Sequence, residues 1–129
     1  MTTLVLVAAA LVIITKAADC LTTLRAVPVA DAETNPLARG LMRRLGVRGA
    51  VTLVFVFACL WTCGAAALVL AQESSWASAG FVALALFVAL VQGAVAHTNR
   101  TGRLNGVTVR VLAAHELGAR TLRARTIKG

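Results

Sequence analysis

The sequence predicts an all-α integral membrane protein: three transmembrane helices, a short cytoplasmic interfacial helix and a basic C-terminal tail. Three observations predict it. Apolar runs occupy residues 4–24, 50–71 and 77–96, each close to the ~20 residues that carry a helix across the hydrocarbon core of a bilayer. The chain is 59% hydrophobic with a mean hydropathy of +0.83, where soluble domains are roughly 45–50% apolar. Almost all positive charge lies outside the runs, in two segments that three crossings bring to one side. The 129 residues allow one compact unit: a bundle over residues 1–96 and a tail over 97–129.

The first run competes with a signal peptide, which would need a basic start and a small-residue cleavage site. Met1, Thr2 and Thr3 carry no charged side chain, and no convincing cleavage site follows, so the run is read as a retained helix. Next comes a loop containing Pro28, Asp31 and Glu33. Asn35-Pro36 then starts a helix over about 36–45, because Asn caps well and Pro is tolerated at the first helical position. Leu37, Ala38, Leu41, Met42 and Leu45 share one arc of it, Arg39 and Arg43 lie opposite, and Gly46 is the expected stop. Such a basic amphipathic segment suits a membrane interface. After the third run, residues 97–106 read as a polar loop. Residues 107–127 mix Val and Leu with Arg, and read as a surface helix broken near Gly118 or a short strand at 107–111.

Charge sets the direction. The first loop holds Arg25, Arg39, Arg43, Arg44 and Arg48, and the tail holds Arg100, Arg103 and five further basic residues. The turn between the second and third runs holds only Glu73. Positive residues concentrate in cytoplasmic loops, so the N-terminus is expected outside and the tail inside. Trp76 suits the outer interface, whereas Trp61 lies mid-helix and is expected against another helix or lipid. Arg outnumbers Lys eleven to two and Ala and Val abound, which suggests a bacterial chain and the inner (plasma) membrane.

Ionisable residues inside a span each need a reason. Lys16 and Asp19 stand three positions apart, close enough to pair. One expectation is an anchor pair at the helix mouth. The other uses packing faces. Ala8, Thr15, Asp19 and Thr22 share a face of the first helix; Cys59, Cys63 and Ala67 form a stripe on the second; Ala85, Ala89, Gly93 and His97 form one on the third. Small residues at such spacing let membrane helices approach closely. Asp19 would then meet His97, Asn99 or a backbone donor. The three cysteines, Cys20, Cys59 and Cys63, do not resemble a disulfide framework, and their placement does not converge on a four-ligand metal site. His115-Glu116 lacks the second His of a zinc-protease helix, and no phosphate loop or nucleophile elbow occurs. No metal or cofactor is expected. The basic tail has no interleaved aromatics, so nucleic acid is not favoured as a partner.

Asp19-Cys20-Leu21-Thr22 followed by Glu33-Thr34-Asn35-Pro36 resembles an uncharacterised family of small prokaryotic three-helix membrane proteins with Asp-x-x-Thr and Glu-x-Asn-Pro signatures. The resemblance covers about residues 4–96; the uncharged second helix departs from it and the basic tail lies outside it. It carries no known activity. It implies that Asp19, Glu33 and Asn35 form a polar cluster at the cytoplasmic face.

The leading functional expectation is a non-enzymatic accessory, scaffold or anchoring subunit of a membrane complex. Its partners would be membrane lipid and either other membrane subunits or further copies of the chain. Lys16, Asp19, Thr22, Glu33, Asn35 and His97 are the candidate polar cluster. Arg39, Arg43, Arg44, Arg48, Arg100 and Arg103 are the candidate lipid or partner contacts. The alternatives are a holin-like pore former of phage or prophage origin, and a small transporter or membrane enzyme using Asp19, Glu33 and His97.

Overall fold

A computed structural model describes residues 1–33 and 35–103; the surface helix expected over 107–127 and the alternative strand at 107–111 lie outside the described residues. The order is α1 (Thr2–Ala26), a single 3-10 turn (Ala30–Ala32), α2 (Pro36–Ala71) and α3 (Ser75–Thr101), with no strand among the described residues. All three helices are long and apolar enough to cross a membrane. This is an all-helical protein compatible with a multi-pass membrane location, with apolar side chains placed to contact lipid.

Each boundary has a local cause. Pro28 disfavours helical geometry at the residue before it, and Val27 duly leaves the helix at φ −117°, ψ 80°. Asn35 caps α2 as expected: its side chain accepts a hydrogen bond from the Leu37 N–H at 3.0 Å, with Pro36 in the first turn. Gly46 does not stop the helix but kinks it, at φ 71°, ψ 163°. Only glycine reaches that geometry cheaply. The second arm of α2, residues 47–71, is roughly 37 Å long at 1.5 Å per residue, enough to span by itself. Glu73, with φ 51°, turns the chain, and Ser74 caps α3 by accepting from the Ala77 N–H at 3.3 Å.

The third helix outruns its expected end. Residues 97–101 are helical, and the helix closes on left-handed Gly102, whose N–H donates to the Thr98 carbonyl at 2.8 Å. Hydropathy marks where a helix leaves the bilayer, not where it unwinds. Here Ala96 is buried and Asn99 bonds α1, so packing continues past the apolar run.

Packing centres on α1. Ala8 and Val12 pack with Ala85 and Ala89 of α3. Val5 and Ala9 pack with Ala66 of α2 at one end, and Cys20 with Met42, Ala50 and Val51 at the other. Residue numbers therefore rise together along α1 and α3, which are parallel, and oppositely along α1 and α2. Between lipid-soluble helices, close van der Waals contact and interhelical hydrogen bonds do the work that water-driven burial does elsewhere. The core is accordingly rich in alanine.

Candidate functional site: a polar cavity at the α2 kink

The kink at Gly46 turns the first arm of α2 toward the end of α1 that carries Cys20. The angle between the two arms, α1 and the acidic loop borders a half-open cavity of about 140 Å³. Its polar lining is Lys16, Asp19, Thr23 and Glu33; its apolar wall includes Met42, Ala50, Val51 and Val54.

Lys16 Nζ donates to Asp19 Oδ2 at 2.7 Å, and the two side chains keep only 17% and 15% of their surface exposed. Lys16 lies ten positions before Ala26, about 15 Å along the helix. A lone charge at the centre of a span costs about 2.5–3.5 kcal/mol on insertion scales, and pairing offsets part of that cost for both members. Glu33 joins from the loop. Its Oε1 accepts from the Asn35 N–H at 2.8 Å, and its backbone carbonyl accepts from Arg39 Nε at 2.7 Å. Asp31 accepts from Arg43 Nε and Nη2 at 3.0 and 2.7 Å. That second pair is exposed, and such pairs contribute about 0–1 kcal/mol. The acidic loop thus latches onto the basic start of α2.

Lys16, Asp19 and Glu33 come together at one cavity, and Asn35 is bonded to Glu33. Thr22 turns its hydroxyl to the Ala18 and Asp19 carbonyls. His97 is exposed and does not line the cavity. Asn99 donates to the Thr23 hydroxyl at 3.2 Å, not to Asp19. Among the expected basic contacts, Arg39 and Arg43 engage the loop, while Arg44, Arg48, Arg100 and Arg103 are exposed.

Two packing stripes need correction. On α3, Ala85 and Ala89 are buried as expected, but Gly93 is only half-buried and His97 is exposed. Steps of four residues advance roughly 40° beyond a full turn each time and drift off a straight seam. The seam alternates four and three instead: Ser78, Val82, Ala85, Ala89, Gln92, Ala96, Asn99. On α2, Cys63 and Ala67 are exposed and Cys59 is half-buried, whereas Thr62 and Ala66 are buried. All three cysteines are free thiols.

Gln92 is the residue that the four-residue stripe passed over. It accepts from the Thr15 hydroxyl at 2.8 Å. Ala8 and Val12 cluster with Ala85 and Ala89, Thr15 bonds Gln92 at an offset of 77, and Thr23 bonds Asn99 at 76, so one register runs along the seam. Alternating four- and three-residue spacing was the signal that could have found it. No group of three or more His, Cys, Asp or Glu is placed to hold a metal ion among the described residues. No protein-family model, curated protein or solved structure matches this chain.

Proposed function

We propose that this chain is a small non-enzymatic membrane protein that serves as an accessory, scaffold or anchoring subunit of a bacterial inner-membrane complex. Its N-terminus lies outside, and its basic loop and tail lie in the cytoplasm, against partner protein or anionic lipid. The observation that carries the reading is the uncovered second span. Only 6% of its most apolar stretch is buried within the chain, against 28% for α1 and 17% for α3. The face of α2 turned toward α3 borders an open apolar groove of about 140 Å³, with Val12 below and Trp61, Thr62, Phe81, Leu84 and Val88 along its sides. Trp61 stacks on Phe57, with ring centroids 6.3 Å apart, and aromatic side chains are enriched where proteins meet.

The experiment is photo-crosslinking in native membranes from Trp61 on α2, with Ile14 on the exposed side of α1 as control. One discrete protein adduct from position 61 and none from position 14 supports the reading. Lipid adducts alone from both positions contradict it. Self-adducts together with dye leakage from vesicles would favour the pore-former. A reporter fused after Gly129 tests orientation: cytoplasmic activity is expected.

The cavity at the kink favours a second reading, a small transporter using Asp19 and Glu33. Solute uptake in proteoliposomes that Asp19→Asn abolishes would support it; uptake absent across charged and neutral solutes would remove it.

A further inference from the structure

Arg25 and Arg100 sit in the last turns of α1 and α3. The parallel pairing of those helices, fixed nearby by the Asn99–Thr23 bond, brings both to the same end of the bundle. There they line one pocket of about 200 Å³ with Thr22, Ala26 and Asn99. Both arginines are exposed, and two like charges at one pocket repel each other. Neither is paired with a carboxylate among the described residues. The chain has five acids. Asp19 is held by Lys16, Asp31 by Arg43, Glu33 lines the other cavity, Glu73 stands in the turn at the far end of the bundle, and Glu116 lies outside the described residues. The geometry points to an anion-binding site between the ends of α1 and α3, with phosphate as its ligand.

The donor set supports phosphate. Guanidinium offers a planar fork that matches phosphate oxygens. Asn99 spends its Nδ2 on one bond to Thr23 and keeps a second amide hydrogen. Thr22 directs its hydroxyl to backbone carbonyls and so shapes the wall without donating. Both arginines follow apolar spans, at the depth where phospholipid headgroups carry their phosphates. The ligand is therefore a net-negative phosphate, from an anionic phospholipid headgroup or free in solution. The site requires that the helices cross a bilayer; it does not require a protein partner.

The test is native mass spectrometry of the full chain released from detergent, titrated with phosphatidylglycerol, phosphatidylcholine or inorganic phosphate. Wild type should retain phosphatidylglycerol in preference to phosphatidylcholine. Arg25→Gln/Arg100→Gln should weaken it about tenfold or more, the scale of losing charged hydrogen bonds. Arg44→Gln/Arg48→Gln, which removes the same charge from the basic loop, should weaken it clearly less than the pocket pair does if the site, not diffuse charge, holds the lipid. Thr22→Leu, which narrows the pocket and keeps both charges, should also weaken binding and guards against misfolding of the double variant. Binding of inorganic phosphate alone, lost in the same variants, assigns the site to a soluble phosphate. Equal phosphatidylglycerol binding by wild type, Arg25→Gln/Arg100→Gln and Thr22→Leu overturns the inference, as does equal loss in Arg44→Gln/Arg48→Gln.

Discussion

Removing Asp19 should expose the energetic role of the ion pair. In Asp19→Ala, Lys16 loses the carboxylate oxygen 2.7 Å away and keeps a side chain only 17% exposed. A cation left alone within a span costs about 2.5–3.5 kcal/mol, and breaking a well-buried pair costs about 3–5 kcal/mol. The residual exposure and the adjoining cavity let Lys16 recover part of that. The net expectation is about 2–3 kcal/mol, or about 100-fold in the folding equilibrium. Lys16→Met/Asp19→Leu removes both charges and fills the volume, and should return within about 1 kcal/mol of wild type, because apolar replacements of buried pairs are often neutral or stabilising. The assay is reversible unfolding in mixed micelles with increasing sodium dodecyl sulfate, followed by Trp61 and Trp76 fluorescence. Asp19→Ala within about 0.5 kcal/mol of wild type would refute the reasoning, since that is the scale of an exposed pair. So would a double variant as unstable as the single one.

Three further outcomes follow from the packing and the turns. Ala89→Leu wedges a large side chain into the α1–α3 seam, where Ala89 is buried, and should cost about 1–3 kcal/mol; Cys63→Leu on an exposed face should stay within about 0.5 kcal/mol; the same unfolding assay separates them. Gly46→Ala meets no atom within 4 Å of its new Cβ, but keeping φ 71° would cost about 1–3 kcal/mol of backbone strain, which favours release of the kink, and spin labels at positions 38 and 60 should report a straighter α2. Glu73→Gly relieves a left-handed non-glycine residue with φ 51° and should stabilise by about 0.5–1 kcal/mol, the gain from relief less the entropy glycine adds to the unfolded chain, seen as a higher midpoint in a thermal melt.

What the sequence made legible was governed by range. The three spans follow from hydropathy, the Asn35 cap and the Lys16–Asp19 pair from neighbours in sequence, and each is present. Glu33 reaches the Asp19 cavity through the Gly46 kink, a change of direction that a stop signal does not specify. The side of α2 that packs is not legible, because Cys63 and Ala67, which are exposed, are about as small as the buried Ala66; residue size identifies what can pack closely, not which way the helix is rotated. Gln92 carries no such signal, because an uncharged amide barely interrupts an apolar run, although its bond to Thr15 joins two helices. Interhelical hydrogen bonds of this sort average about 0.6 kcal/mol in membranes, too small to leave a strong mark in composition.

α1 and α3 run parallel in one register and seat Thr15, Gln92, Thr23 and Asn99 between them. Disulfide crosslinking in native membranes tests it most directly, in a chain whose Cys20, Cys59 and Cys63 are replaced by Ala. Thr15→Cys/Gln92→Cys should crosslink far more efficiently than Thr15→Cys/Ser78→Cys, because residues 15 and 92 face each other across the α1–α3 seam, joined through the Thr15 hydroxyl and Gln92 Oε1. Efficient crosslinking of the 15/78 pair with none at 15/92 would contradict the parallel arrangement and the site built on it.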